Sequence, residues 1–279
     1  MSRTYVITGA ASGIGKVTAE ILRERGETVI GVDLKGVEVA GDLSSHEGRR
    51  AAAGEAVQLA GGTVDAVIPC AGLSVMKPVT VAVNFFGMAE FLEALLPALG
   101  RSEAPRVALV SSMASLQPVS TALVDAMLAG DEEQALSIAG SLADASPESN
   151  PIYPSSKRAI SRWVRREAPT TAWGGAGIPL NAVAPGTVVT PMTKDLLASE
   201  QGRAMTDAYV PMPLNSHQGA ESIAHLLIWL TSVENTHCTG QTIYCDGGAD
   251  AVLRGDDVWS WNDEAMARKF QEIGARLRG

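Results

Sequence analysis

The stretch TYVITGAASGIG, residues 4–15, decides how the whole chain is interpreted. A run typical of a buried strand leads into a glycine-rich turn, and an amphipathic helix pattern follows to about Arg25. Gly9, Gly13 and Gly15 have the spacing G-x-x-x-G-x-G, which brings backbone N–H groups up to a pyrophosphate at a helix N-terminus. A glycine-rich turn without a ligand is the alternative, but the strand before it and the helix after it favour dinucleotide binding.

An acidic residue ends the second predicted strand. Asp33 lies eighteen residues after Gly15, and a carboxylate there accepts hydrogen bonds from both ribose hydroxyls and repels a 2′-phosphate. A turn-forming aspartate at a strand end is the simpler alternative. The position favours NAD over NADP as the cofactor, while Lys35 nearby keeps NADP open.

Short strand patterns alternate with longer helix patterns along the rest of the chain. This alternation predicts an α/β fold, a Rossmann-type doubly wound parallel sheet with helices on both faces. The predicted strands are 4–8, 28–33, 37–41, 64–70, 106–112, 179–186 and 241–248, and further helices are predicted at about 46–60, 79–99, 153–168 and 219–231. No linker or internal repeat divides the chain, so residues 1–250 are expected to form a single domain.

Three segments interrupt the regular alternation. Asp33 and Asp42 are only nine positions apart, which is too close for a crossover helix and predicts a bare loop or a single turn. Residues from about 116 to 150 contain two helix-like pieces and are interpreted as an insertion. Residues 251–279 are interpreted as a C-terminal extension with a helix of its own.

The extension has the pattern of one amphipathic helix. Asn262 is a candidate N-cap with acids after it, and basic residues lie at the far end, as the helix dipole favours. We expect its apolar stripe to pack on the domain or on a neighbouring subunit rather than in a membrane, with Trp259 and Trp261 beside it. The stripe comprises Met266, Phe270, Ile273 and Leu277.

Composition narrows the classes of function. The formal net charge is −9 without long blocks, which argues against a nucleic-acid partner. No run of about 18 apolar residues and no signal-peptide pattern is present, so we expect a cytoplasmic protein that does not bind membranes. The three cysteines are expected to be buried thiols, and the four histidines lack ligand spacing, so no metal site is expected.

The stretch NPIYPSSKRAI, residues 150–160, places Tyr153 four residues before Lys157 at the start of a helix pattern. Residues four apart are neighbours on one helix face. Taken alone, the two residues are an ordinary surface pair. Whether the lysine acts on the tyrosine hydroxyl depends on the rest of the chain.

The glycine motif followed far downstream by Tyr-x-x-x-Lys resembles the paired signature of the short-chain dehydrogenases/reductases. The resemblance covers about residues 4–250, and Pro69 and Cys70 replace asparagines that the family usually has. The further matches, in chain order, are GDL (41–43), CAG (70–72), Asn84 in VNFFG, SS (111–112) and PGTVVT (185–190). The insertion, the short second crossover and the segment DGGADAVLR resemble most closely the bacterial 3α-hydroxysteroid dehydrogenase/carbonyl reductase subgroup.

The resemblance implies catalytic roles for four residues. Tyr153 would be the general acid/base, and because a free phenol has a pKa of about 10, Lys157 and the positive nicotinamide ring would lower it. Lys157 would also bind the nicotinamide ribose. Ser112 would hold the substrate oxygen, although Ser111 or Ser115 could replace it because the distance to Tyr153 is longer than usual in the family. Asn84 would support a water next to Lys157.

The resemblance also implies a set of cofactor contacts. They come from the glycine loop, the ends of the next strands, the tyrosine helix and the PGTVVT segment. The residues are Gly9, Ser12, Gly13, Ile14, Gly15, Asp33, Asp42, Leu43, Cys70, Ala71, Gly72, Tyr153, Lys157, Pro185, Gly186, Val188 and Thr190.

The substrate is predicted to be a secondary alcohol or ketone on an apolar, cyclic skeleton. Two segments expected to flank the nicotinamide are rich in apolar residues, although packing onto the domain would explain them equally simply. They contribute Leu123, Val124, Met127, Leu128, Leu136 and Ile138 from the insertion, and Met192, Leu196, Leu197, Met205, Tyr209 and Met212 from the loop after PGTVVT.

Two other functions fit the same motifs. One is an NADP-dependent carbonyl reductase of a biosynthetic pathway, and the other is a non-catalytic dinucleotide-sensing protein. The sensor is the weaker alternative because this chain keeps both Tyr153 and Lys157. The resemblance also implies a homodimer or homotetramer, and the place of the insertion favours the dimer.

Overall fold

Seven strands form one sheet in the computed structural model, which describes residues 2–145, 151–214 and 217–278. The strands are β1 (Thr4–Thr8), β2 (Thr28–Asp33), β3 (Val39–Ala40), β4 (Ala66–Pro69), β5 (Arg106–Val110), β6 (Leu180–Pro185) and β7 (Thr242–Cys245). They lie in the order β3-β2-β1-β4-β5-β6-β7, and every neighbouring pair is parallel. The predicted Rossmann-type α/β fold is confirmed.

Helices connect the strands and cover both faces of the sheet. They are α1 (Gly13–Glu24), α2 (His46–Leu59), α3 (Val79–Val81), α4 (Gly87–Leu99), α5 (Thr121–Ala129), α6 (Glu132–Ala145), α7 (Ile152–Glu167), α8 (Lys194–Leu197), α9 (Glu200–Tyr209), α10 (Ala220–Thr231), α11 (Ala249–Arg254) and α12 (Asp263–Arg278). A π-helical turn, Ala82–Phe86, joins α3 to α4, and short 3-10 turns lie at Met113–Leu116, Gly174–Ala176 and Ser260–Asn262.

The strands are apolar on both faces because each face has its own layer of helices. Tyr5 and Ile7 of β1 belong to the core beneath α1 and α10. Val6, between them, points to the opposite core, which α2, α4 and α7 cover. The strand period of two residues therefore divides one short apolar run between two cores.

The connection from β2 to β3 is a loop without a helix, as the short spacing predicts. Its far end is held by the Gly41 N–H, which donates to the carbonyl of Asp33 at 2.9 Å. β3 has only two residues, where the pattern predicts 37–41, because it is an edge strand that pairs with β2 alone. The prediction of 106–112 is also too long, since β5 ends at Val110 and leaves Ser111 and Ser112 in the loop beyond it.

One apolar helical run contradicts the expectation that no such run exists. Val79–Leu99 is long and apolar enough to cross a membrane by length and composition alone. However, 67% of its most apolar window is buried inside the protein, and Phe91, Leu92 and Leu95 are fully enclosed. Within the described chain this run is a core helix packed on α2.

Two helices, α5 and α6, occupy the predicted insertion, whose last residues, 146–150, lie outside the described residues. α5 packs along α7, which carries Tyr153 and Lys157. Leu123, Val124 and Met127 are at most 1% exposed and belong to the core beside α4 and α7. The insertion is therefore packed into the same core as the rest of the fold.

The C-terminal helix begins at Asp263, directly after Asn262. Met266, Phe270 and Ile273 of its predicted stripe are between 42% and 66% exposed, and Trp259 is 75% exposed. These residues therefore do not pack on their own domain, which leaves a neighbouring subunit as their predicted partner. The side chains of Trp261 and Leu277 lie outside the description.

Gly15 is expected to be intolerant of any side chain. A Cβ on Gly15 would lie 2.3 Å from the carbonyl oxygen of Gly9, so Gly15→Ala should lower the free energy of unfolding by about 1–3 kcal/mol. Gly54→Ala is the matched control, because a Cβ on Gly54 in α2 meets nothing within 4 Å and should stabilise by about 0.5–1 kcal/mol. Urea unfolding of both variants measures this, and equal stabilities would contradict the close approach.

Candidate active site

A cleft of about 530 Å³ opens at the carboxyl ends of the central strands. Strand β1 has β2 on one side and β4 on the other, so the strand order reverses at this point of the sheet. Such a point is the usual ligand site of a doubly wound sheet. All seventeen predicted cofactor contacts line it, from Gly9 to Thr190, and so does Ser112. Asn84 is the one predicted site residue that does not.

The glycine loop has the geometry that a pyrophosphate needs. Gly9 and Gly13 have positive φ values of 70° and 54°, which glycine adopts without strain. α1 begins at Gly13 beside the cleft, with Ser12 as N-cap and no side-chain capping hydrogen bond. The first N–H groups of a helix have no partner within the helix, so this end can hold an anionic group. The residues therefore fit a dinucleotide.

Asp33 is held in place by backbone N–H groups. Its Oδ2 accepts from Ala11 N at 3.0 Å, and its Oδ1 accepts from Leu34 N at 2.7 Å. Each carboxylate oxygen can accept a second hydrogen bond. The group is thus fixed between the glycine loop and the end of β2, with acceptor capacity left for ribose hydroxyls.

Asp42 is engaged within its own loop. Its Oδ1 accepts from Ser44 N at 2.8 Å, and this backbone hydrogen bond is the main cause that lowers the pKa of the carboxyl group. Asp42 and the buried Leu43 both line the cleft. The structure thus places the loop as predicted, with the Asp42 carboxylate shaping the turn.

Three predicted catalytic residues meet at the other end of the cleft. Ser112, Tyr153 and Lys157 all line this end, and the Ser112 side chain is close enough to the phenol of Tyr153 to lower its pKa. Lys157 is 5% exposed, and its Nζ lies 5.7 Å from the centre of the Tyr153 ring while donating to the carbonyl of Val110 at 2.9 Å. Strand β5 and helix α7 therefore bring the three together.

The ionisable groups of this cluster are governed by burial. Burial raises the pKa of Tyr153 above its ordinary value, and the Ser112 side chain opposes this rise. Burial lowers the pKa of Lys157 to about 8 and raises that of the Cys70 thiol to about 12. In the protein alone, Lys157 does not lower the pKa of Tyr153 as expected. The reason is that Lys157 Nζ lies over the tyrosine ring and donates its hydrogen bond to the carbonyl of Val110.

The structure distinguishes the three candidate serines. Ser111 donates from its Oγ to the carbonyl of Lys157 at 3.1 Å and contacts Ser161. Ser115 is 3.0 Å from the hydroxyl of Tyr244. Ser112 alone of the three acts on the pKa of Tyr153, and it also accepts from Ala114 N at 3.1 Å. Of the three candidates, Ser112 is therefore the one that adjoins the tyrosine.

Asn84 is a buried residue whose side chain bonds the backbone of the cleft wall. It lies in the π-helical turn and is 1% exposed. Its Oδ1 accepts from Leu73 N at 2.7 Å, and its Nδ2 donates to the carbonyl of Leu73 and to Ser156 Oγ, both at 3.0 Å. The predicted support of a water next to Lys157 stays a prediction. Asn84 fixes Leu73, which lines the cleft.

Sequence reasoning missed several residues of the cleft wall. They are apolar or small side chains adjacent to predicted contacts, without a motif of their own. The set includes Val32, Leu34, Gly41, Ser44, Leu73, Val79, Val83, Val110, Pro191 and Thr193. Only their position in the sequence could have indicated them as cleft residues. Each lies within a few residues of a strand end or near the start of a helix that faces the cleft.

The two segments expected to flank the nicotinamide behave differently. In the insertion, Leu123, Val124 and Met127 are buried in the core, and Leu128, Leu136 and Ile138 pack against it. The expectation that these residues meet a substrate is wrong. In the loop after β6, by contrast, Met192, Leu196, Met205 and Tyr209 are between 41% and 65% exposed.

The cysteines are free thiols, and one of them belongs to the cleft wall. All three cysteines are free and half-buried, less buried than expected, and Cys70 lines the cleft. Among residues 2–145, 151–214 and 217–278, no group of three or more His, Cys, Asp and Glu side chains is arranged to hold a metal ion.

Comparison with known proteins gives consistent matches. A family model described as enoyl-(acyl carrier protein) reductase matches residues 9–250. The 3-alpha-hydroxysteroid dehydrogenase/carbonyl reductase of Comamonas testosteroni is 34% identical over 89% of this chain and 97% of its own length. The 3-oxoacyl-(acyl carrier protein) reductase of Thermotoga maritima is 29% identical over 88% of this chain and 97% of its own length.

A solved structure extends the likeness to three dimensions. The 3-alpha-hydroxysteroid dehydrogenase from Pseudomonas sp. B-0831, complexed with NADH, has a TM-score of 0.82 and 34% identity. The match covers 91% of this chain and 99% of that one.

Lys157 is expected to reduce stability at neutral pH. Its pKa falls from 10.5 to about 8 on folding, so the unfolded chain binds the proton more tightly than the folded protein does. This lowers the free energy of unfolding by up to about 3 kcal/mol, and the loss disappears only as the pH rises from about 8 to 10.5. Lys157→Met should therefore have a higher free energy of unfolding than wild type at pH 7, and the difference should shrink at pH 10. Lys16→Met, at an exposed position, is the control. A pH-independent difference for Lys157→Met would contradict the lowered pKa.

Proposed function

We propose, because the chain belongs to the short-chain dehydrogenase/reductase family, that it is an NAD-dependent oxidoreductase which interconverts a secondary alcohol and a ketone. The observation that carries the proposal is the joint placement of Ser112, Tyr153 and Lys157 in the cleft that the glycine loop also lines. A regulatory dinucleotide sensor would have no use for this cluster. The relatives themselves show that the chain is a hydroxysteroid dehydrogenase/carbonyl reductase-like oxidoreductase.

Each residue of the cluster has a role in this proposal. Tyr153 gives a proton to the ketone oxygen, or takes it from the alcohol, while Ser112 holds the same oxygen by a hydrogen bond. Lys157, with a pKa of about 8, is mostly protonated near neutral pH and stabilises the phenolate that results. Asn84 keeps the Leu73 wall of the cleft in place. The dinucleotide, when bound, supplies or accepts the hydride.

The loop after β6 supports an apolar, cyclic substrate. Met192 lines the cleft, and Leu196, Met205 and Tyr209 further along the loop are also exposed. Large exposed apolar groups of this kind are typical of a binding surface. Burying each methylene of a ring system contributes about 0.8 kcal/mol. The names of the relatives that act on hydroxysteroids support the same class of substrate.

The cofactor proposal depends on Asp33. Its carboxylate faces the glycine loop and would repel a 2′-phosphate. The NADH complex of the Pseudomonas enzyme supports this choice. An NADP-dependent carbonyl reductase of a biosynthetic pathway is the second candidate, favoured by the match to the acyl carrier protein reductases and by the exposed Lys35.

The proposal extends to the assembled protein. Residues 1–250 would form the catalytic domain and residues 251–279 an extension, acting in the cytoplasm as a homodimer or homotetramer. The exposed stripe of α12 supports a contact between subunits.

Tyr153→Phe should fold and bind NADH but lose about 10²–10⁴-fold in turnover, because the phenol proton is gone while the ring remains. The assay is NADH oxidation with a panel of ketones: a 3-ketosteroid, a cyclohexanone, a small polar ketone and a keto sugar. Tyr5→Phe, buried in β1 and away from the cleft, is the matched control and should keep wild-type turnover. A Tyr153→Phe variant with more than about a tenth of the wild-type rate would exclude the acid/base role, and a preference for keto sugars would exclude the apolar substrate.

Two substitutions of Asp33 separate its charge from its hydrogen bonds. Asp33→Ala loses both, whereas Asp33→Asn keeps an acceptor for Ala11 N and removes the charge. Both should weaken NAD binding and improve NADP binding, changing the ratio of the two dissociation constants by about 10- to 100-fold. Calorimetric titration of both cofactors measures this. A wild-type protein that prefers NADP contradicts the proposed role of Asp33.

A further inference from the structure

Arg49 of α2 is a buried cation that the proposed chemistry does not use. It is 1% exposed and does not line the cleft. Its Nε donates to the carbonyl of Leu43 at 2.9 Å, and its Nη2 donates to the carbonyls of Ser44 and Ala82, both at 3.1 Å. Two carboxylates complete the set. Glu132 binds both Nη atoms, at 2.6 and 2.7 Å, and Glu90 binds Nη1 at 3.3 Å.

These acceptors belong to four parts of the fold. Leu43 and Ser44 form the cleft wall next to Asp42. Ala82 begins the π-helical turn that carries Asn84. Glu90 lies on α4, and Glu132 is the first residue of α6 in the insertion. One guanidinium group therefore joins the insertion directly to the backbone of the cofactor cleft.

The ion pair between Arg49 and Glu132 is able to hold the backbone of Leu43 and Ser44 in place. A guanidinium without a carboxylate partner is costly to bury, and the bidentate bond to Glu132 is the shorter of its two ion pairs. These carboxylates raise the pKa of Arg49 despite its burial. Without Glu132, a buried cation would remain with only the longer contact to Glu90. The side chain would then shift towards water and release the carbonyls of Leu43 and Ser44.

We propose that Arg49 and Glu132 are positioning residues, through which the insertion fixes the 42–44 loop of the cofactor cleft. The insertion thus serves cofactor binding, although its apolar residues do not reach the substrate. The effect on cofactor binding rests on the proposed dinucleotide site. The link between the insertion and the 42–44 loop rests on the contacts of Arg49 alone.

Glu132→Gln removes the charge and keeps the size of the side chain. We expect the dissociation constant for NADH, measured by fluorescence titration, to rise about 3- to 30-fold. The kcat at saturating NADH should stay within about twofold of wild type, because Arg49 makes no hydrogen bond to Ser112, Tyr153 or Lys157. Glu133→Gln is the matched control, since Glu133 is exposed on the same first turn of α6, and it should bind NADH as wild type does. Glu132→Asp, which keeps the carboxylate, should recover part of the affinity.

Hydrogen exchange separates positioning from general stability. The amides of residues 43–45 should exchange faster in Glu132→Gln, while those of β1 and β6 stay protected as in wild type. Unchanged NADH affinity and unchanged exchange at 43–45 in a folded Glu132→Gln would overturn the inference. So would a uniform loss of protection across the sheet. Should Glu132→Gln fail to fold, Glu132→Asp decides by the same two measurements.

The failure of the proposed function gives a different result. If wild type binds neither NADH nor NADPH, the dinucleotide site is wrong, and faster exchange at 43–45 in the variant would still establish the link from the insertion to the loop. If wild type binds NADH and Glu132→Gln binds it with the same dissociation constant, the proposed function is supported and the positioning role of Arg49 and Glu132 is excluded.

Discussion

The architecture of the site depends on one close approach of two backbone segments. The Cα of Gly15, in the first turn of α1, lies so near the carbonyl of Gly9 that a Cβ would stand 2.3 Å from its oxygen. Gly9 itself lies against the backbone of Cys70 and Ala71 beyond β4, where a Cβ would be 2.8 Å from Ala71 N. Three chain segments therefore meet without side chains between them, and the start of α1 is set at the mouth of the cleft. The positions of Asp33 and of the loop from Cys70 follow from this contact.

At the opposite end of the cleft, burial sets the chemistry. Burial disfavours the charged form of both ionisable residues there, lowering the pKa of Lys157 and raising that of Tyr153. Near neutral pH the lowered pKa of Lys157 reduces the stability of the fold, and perturbed pKa values of this kind are common at functional sites. The carbonyl of Val110 at the end of β5 partly offsets the loss by accepting a hydrogen bond from Lys157. The same strand end thus stabilises the lysine and presents the serine.

Sequence patterns predicted the parts of this protein that depend on local chemistry. The glycine spacing, the aspartate at the end of β2 and the Tyr-Lys pair are each set by residues close in sequence, and all were placed in the cleft. Patterns could not show which serine meets Tyr153, because that depends on how β5 and α7 pack. They also misjudged the apolar residues of the insertion, since a buried leucine and a substrate-binding leucine look alike in sequence. Arg49 was missed for a related reason: three of its five acceptor groups, on Ala82, Glu90 and Glu132, lie on segments distant along the chain.

The insertion between β5 and β6 also bears on how the chain folds. Val107 pairs with Leu180, so the sheet cannot be completed until both ends of a long intervening segment, with α5, α6 and α7, come together. The entropic cost of closing a loop rises only with the logarithm of its length, so the extra helices cost little in final stability. Pairings between distant residues nevertheless slow folding. We therefore expect the half of the sheet built from β1 to β5 to form before β6 docks, leaving one edge of β5 open for a time as a site where unfinished chains can associate.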